Sequence, residues 1–190
     1  MVSCISNKMA QQLTWALLAV MALLSVACTT TEIATPRYTS SLVSVREPGF
    51  VFTAGDSYDW LGDIEVVTHR QHSIKDSTVK HIRETLEDGL ATNGCHKASG
   101  RVDHLIAATI IVGDAVSEAD LIKHYDISPS LIQPSDDKAG TLVLRVIDPV
   151  TLRTHWRAAM ELFTDQNETD AERIAKVDKA VDAILRQLLQ

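Results

Sequence analysis

The sequence predicts an α+β domain in which two helices cover one face of a mainly antiparallel sheet of about four strands. Three observations carry that prediction. Two stretches repeat apolar residues at helical spacing, three runs carry strand patterns, and an Asp-Pro turn joins the last two runs into a hairpin. The predicted order is β-α-β-β-β-α.

Val43 to Thr53 supplies the first strand, interrupted near Pro48-Gly49, where proline removes a ladder donor. The first helix follows a Ser73-Ile74-Lys75-Asp76 capping box, with Ile74, Val79, Ile82, Leu86 and Leu90 as its apolar stripe and Asn93-Gly94 as its stop. His104 to Val112 is apolar on both alternating faces, as a central strand should be. Thr141 to Ile147 forms the next strand and ends at Asp148-Pro149, a turn opener. Leu152 to Phe163 then alternates, with Leu152, Trp156, Ala158, Met160 and Leu162 on one face and Arg153, His155, Arg157 and Glu161 on the other. A second capping box, Thr169-Asp170-Ala171-Glu172, starts the last helix, whose stripe is Ile174, Val177, Val181, Ile184, Leu185 and Leu188. Gly113 to Ala139 separates two strands by 27 residues, and Ala119 to Tyr125 within it could form a short helix. Loops that long are uncommon unless functional or disordered. A packed structural excursion is the simpler reading, and a binding lid or partner loop the sharper one.

The N-terminus is of another kind. Leu13 to Ala27 is an uncharged apolar run behind a short polar start carrying Lys8. It is shorter than the ~20 residues a spanning helix needs and fits a secretory signal. Leu24-Ser25-Val26-Ala27-Cys28 resembles a bacterial lipobox, although Ser25 stands where leucine is usual and Leu24 lies one residue early. That resemblance implies cleavage before Cys28 and acylation of its sulfur, and Thr29, in place of an aspartate, implies the outer membrane with the domain facing the periplasm. The expected organisation is a removed signal over 1–27, a lipidated cysteine and Ser/Thr-rich tether over 28–41, and one domain over 42–190. Of the three cysteines, Cys4 would leave and Cys28 would carry lipid, so Cys95 has no partner within the mature chain and is expected as a small buried hydrophobe.

The run GTLVLRVIDPVTLRTHWRAAMELFTD and the following ERIAKVDKAVDAILRQL resemble the C-terminal half of a bacterial lipoprotein family known as domain-of-unknown-function family 4136. Asp148, Pro149, Trp156 and Arg157 occupy the hairpin positions, and Asn93-Gly94 ends the first helix. The resemblance covers roughly residues 43–190 and is strongest over 140–190. It implies the fold and an envelope location and brings no chemistry with it.

The formal net charge is −7 and becomes −8 once the first 27 residues, which carry only Lys8, are removed. Such a chain should repel phosphate backbones, so nucleic acid is not an expected partner. The sequence holds no Gly-rich phosphate loop, nucleophile elbow or His-Glu-x-x-His. His69 and His72, three apart, and Cys95-His96 are weak metal patterns, and neither a metal nor another cofactor is expected. Arg153, His155 and Arg157, with Arg145 beside them if the register permits, form a basic stripe that could meet an anionic envelope polymer, lipid headgroups or an acidic envelope protein. A solvated sheet face paired with carboxylates is the plainer reading of the stripe. Trp156 is expected in the core, whereas Trp60 could edge a groove or plug the sheet. The expected function is a lipid-anchored, non-catalytic binding or scaffolding module of the envelope. The alternative is a hydrolase acting on envelope material, which would need a pocket gathering His, Asp or Ser from separate segments.

Overall fold

The computed structural model describes residues 42–68, 74–112, 119, 122–123, 139–163 and 169–190. The expected signal, Cys28, the tether, His69, His72 and nearly all of the 113–139 excursion lie outside them. The described residues include seven strands: β1 (Leu42–Arg46), β2 (Ser57–Trp60), β3 (Glu65–Thr68), β4 (His96–Lys97), β5 (His104–Val112), β6 (Ala139–Ile147) and β7 (Thr154–Phe163). Two helices are fully described, α1 (Asp76–Thr92), between β3 and β4, and α2 (Asp170–Leu188), after β7.

The strands form one sheet in the order β1-β7-β6-β5-β2-β4, with β3 also on β5. From β5 through β6 and β7 to β1 the pairing is antiparallel, and β2, β3 and β4 join by parallel pairs. The sheet is therefore mixed and larger than the antiparallel four-stranded sheet expected. The missed strands have four, four and two residues, too few for a period-two pattern to stand out. Parallel pairing between β2 and β4 requires a crossover, and α1 lies in that connection.

Both helices pack on one face, as their stripes predict. Ile106, Ala108, Ile110, Leu142, Leu144, Val146, Trp156, Ala158 and Met160 meet Ile82, Leu86 and Leu90 of α1 and Val177, Val181, Ile184 and Leu188 of α2 in a single core. Gly89 admits the close approach of the helices, because a Cβ there would lie 2.2 Å from Leu185 Cδ1. Ile174 departs from the α2 stripe and is exposed.

The helix starts differ. α2 has the full capping box: Glu172 N donates to Thr169 Oγ1 at 3.3 Å, and Thr169 N donates to Glu172 Oε2 at 2.9 Å. The box expected around Ser73 does not start α1. Ile74 and Lys75 are not helical, and Lys75 takes the cap position without a side-chain cap bond. Lysine has no acceptor to offer, and its ammonium reaches Asp170 on α2 at 2.8 Å instead. At the other end of α1, Gly94 has φ +83°, the left-handed turn that the Asn-Gly stop implies. Cys95 follows, free and buried, as expected for a small hydrophobe.

Candidate functional site

The end of β1 with the two residues after it, and the start of β7, build a cleft of about 270 Å³, lined by Val45, Arg46, Glu47, Pro48, Thr154, His155, Trp156 and Arg157. A register shift shapes it. Val146 pairs with Trp156 but Ile147 pairs with Thr154, so His155 is the extra residue of a bulge. The even alternation read from Leu152 onward breaks here. Leu152 lies in the turn and is exposed, while Trp156 stays in the core.

The bulge redistributes the expected basic stripe. Arg157 lies on β7 directly opposite Arg145 of β6. His155 lies against Phe50, with 5.3 Å between ring centroids. Arg153 precedes the strand and donates to Glu47 Oε1 at 2.8 Å, and Glu47 Oε2 is 3.7 Å from His155 Nε2. Glu47 thus stands between two of the predicted cations. The Arg153–Glu47 pair is largely exposed, so solvent screens it and an incoming anion could displace Glu47 at a cost of about 0–1 kcal/mol. Arg46 has a structural task. Its guanidinium donates to Gln187 O at 2.7 Å and Leu188 O at 2.8 Å, closing the C-terminus of α2, where the helix dipole favours a cation.

Trp60 lies elsewhere, in the core near α1. Its indole N–H donates to Glu87 Oε1 at 2.8 Å, Arg83 stacks over the ring at 4.4 Å, and Lys97 also binds Glu87. The groove-or-plug choice resolves to a plug with a satisfied polar edge. Its neighbour Tyr58 is buried, and desolvation together with Glu87 pushes its hydroxyl up to about 12.

Sequence reasoning missed one group. His104 at the start of β5 lies between Phe52, 4.7 Å away, and Phe50, 5.5 Å away. Its Nε2 is 3.2 Å from Asp56 Oδ2, and its buried Nδ1 has no hydrogen-bond partner. Asp56 and His104 are 48 residues apart, so no local motif announces them. Cys95 is held nearby, donating to Thr53 O at 3.6 Å, and burial pushes its thiol upward, away from the thiolate a nucleophile needs. Among the described residues no cluster of three or more His, Cys, Asp or Glu could hold a metal.

No protein-family model and no curated protein matches the sequence. Solved structures do. A family 4136 protein from Bacteroides thetaiotaomicron aligns with TM-score 0.56 at 12% identity, covering 80% of this chain and 97% of that one. The chain has the fold of that family. Two further structures align at lower TM-scores. One is a PelC dodecamer from Paraburkholderia phytofirmans, with TM-score 0.48 and 8% identity over 79% of this chain and 97% of that one. The other is a domain-of-unknown-function 330 protein from Xanthomonas campestris, with TM-score 0.40 and 8% identity over 78% and 89%.

Proposed function

We propose that the protein is a lipid-anchored envelope lipoprotein, attached to the outer membrane through Cys28 and facing the periplasm, whose domain is a non-catalytic binding module. The cleft at β1 and β7 is its binding site, and its ligand is an anionic envelope component: a carboxylated polymer or an acidic stretch of an envelope protein. The observation that carries the reading is a cleft lined by His155 and Arg157 and by Glu47, whose carboxylate holds Arg153 at its rim, on a chain that is otherwise acidic. A ligand carboxylate takes the place of Glu47, and Arg153 supplies the planar fork that suits such groups. Among the described residues no helix is long and apolar enough to cross a membrane, and the anchor is assigned to Cys28 on its lipobox.

The experiment is a titration of the full-length protein with alginate, used as a carboxylated polymer. Binding should weaken with salt and fall sharply when Arg153, His155 and Arg157 are replaced by glutamine, with folding checked by thermal melting. Glu47→Gln should tighten it. Affinity indifferent to all four substitutions would overturn the cleft assignment.

One observation favours the second reading, a hydrolase: the Asp56–His104 pair has the form of an orienting acid and a base. His104→Gln in a protein that still folds would abolish turnover of envelope material by such an enzyme and leave the binding module intact.

A further inference from the structure

The strand that lines the cleft is also an unpaired edge. β1 ends the strand order and, among the described residues, pairs only with β7. Glu47 N donates to His155 O at 2.8 Å, and backbone groups along an antiparallel strand alternate between its two sides. Those of Val43 and Val45 therefore face β7, and those of Ser44 and Arg46 face outward. No backbone group among the described residues meets the outward ones. Ser44 is exposed, as is Val45 at 40%. Edge strands are ordinarily guarded by charge or proline. Arg46 is no guard here, because its guanidinium is turned onto Gln187 O and Leu188 O, and Pro48 comes only after the strand has ended. The edge adjoins the cleft, since Val45, Arg46 and Glu47 line it.

We propose that an extended acidic segment of a partner protein adds to β1 as a further strand and sets a carboxylate beside Arg153. This deepens the binding-module reading and rests on it. The outward N–H and C=O groups recur every second residue, about 7 Å apart. Another peptide backbone matches that row, as in other strand additions to sheet edges, whereas a chain of uronic acids has no N–H to offer it. Side chains directly opposite one another across a ladder share a face. A residue opposite Val45 thus lies on the face that Val45 shares with Arg157, away from the helices, and an apolar side chain there covers Val45. Two positions along the same face stands Glu47, whose carboxylate holds Arg153 at 2.8 Å in a largely exposed pair. An aspartate at that point takes the guanidinium fork from Glu47. The segment that fits is apolar and acidic at alternate positions of one face, held by its backbone first and by charge second.

The probe is an end-capped fluorescent peptide, Asp-Thr-Val-Thr-Val-Thr-Asp, whose pattern reads alike in either direction, titrated by anisotropy into the full-length protein. It should bind, and Arg153→Gln, or asparagine in place of both peptide aspartates, should weaken it about tenfold. Methylation of alternate peptide amides is the deciding contrast. One alternate set should lose about tenfold or more and the other little, because only one set faces β1. Ser44→Pro removes an outward donor where an edge tolerates proline, and it should weaken the peptide in protein whose thermal melting is unchanged. Equal effects of the two methylated sets overturn strand addition and leave the cleft reading standing. Binding of alginate without binding of the peptide has the same meaning. A protein that sediments as a dimer, and as a monomer after Ser44→Pro, assigns the edge to a second copy and also overturns the proposal. Failure of both peptide and alginate to bind overturns the proposal and the cleft reading together.

Discussion

The two halves of the sheet, taken along its strand order, each hold a tryptophan and a helix, and they are built on different principles. On the β5–β7 side, Trp156 is fully enclosed by aliphatic neighbours, and α2 begins with a complete capping box. On the β2–β4 side, Trp60 keeps one edge in a polar cluster of Glu87, Arg83 and Lys97, and α1 begins without a side-chain cap. The first side is held mainly by apolar area, with a local cap at the start of α2 and Arg46 closing its end. The second depends on pairs formed between residues far apart in sequence. Stability should therefore be distributed unequally between them.

Substitution can break that contrast. Trp156→Ala should cost about 3–5 kcal/mol in denaturant unfolding, because the cavity it leaves is deep in the core. Trp60→Phe should cost less, about 1–2 kcal/mol, since an aromatic ring remains and the losses are part of the indole volume and one hydrogen bond, while Glu87 keeps Lys97. Equal losses would mean that Trp60 is as central as Trp156.

The helix starts sharpen the same comparison at smaller scale. Thr169→Ala removes the side-chain half of the capping box, leaving the backbone donor to Glu172, and should destabilise by about 1 kcal/mol. Lys75→Ser supplies the missing acceptor on α1 and gives up an exposed pair to Asp170, worth about 0–1 kcal/mol. Its net effect should be neutral or stabilising, and a clear loss would show that the inter-helix pair matters more than its exposure implies.

The smallest effects are those of acid. Asp148 is held below the usual 3.8 by hydrogen bonds from Thr151 and Val150, Asp103 by those from Ser57, and Asp170 by Lys75 and Arg173. A carboxyl lowered in the folded state stabilises fully above its unfolded value, and that contribution disappears as pH falls through the folded one. Stability should therefore decline below about pH 4, and Asp148→Asn should flatten part of the decline. Tyr58 acts at the other end. Its raised value makes the folded state resist ionisation, so stability should fall as pH rises from 10 towards 12. An acid limb unchanged by Asp148→Asn would mean that the turn is not formed by its carboxylate.

The same inequality explains what the sequence made legible. β5 matched its predicted bounds, and β6, β7 and α2 were recognisable, because each is long enough for its apolar period to repeat; the Asp-Pro turn and the Thr169 cap mark the last two boundaries. The four-residue β2 shows alternation only at Tyr58 and Trp60, and its parallel partners come from across a helix. The cleft was half visible. Arg153, His155 and Arg157 stood out as cations, but the bulge that turns His155 towards Phe50 and Glu47 leaves no mark in an alternating pattern. Glu47 and the Asp56–His104 pair join distant segments, which no local motif reports.

Acylation of Cys28, on which the lipoprotein proposal rests, is read from the mass of the mature chain in membranes of the cells that make it. That mass should be of a chain beginning at Cys28 with diacylglyceryl and acyl groups, which are absent when Cys28 is replaced by alanine. An unmodified Cys28, in a chain of any length, would contradict it.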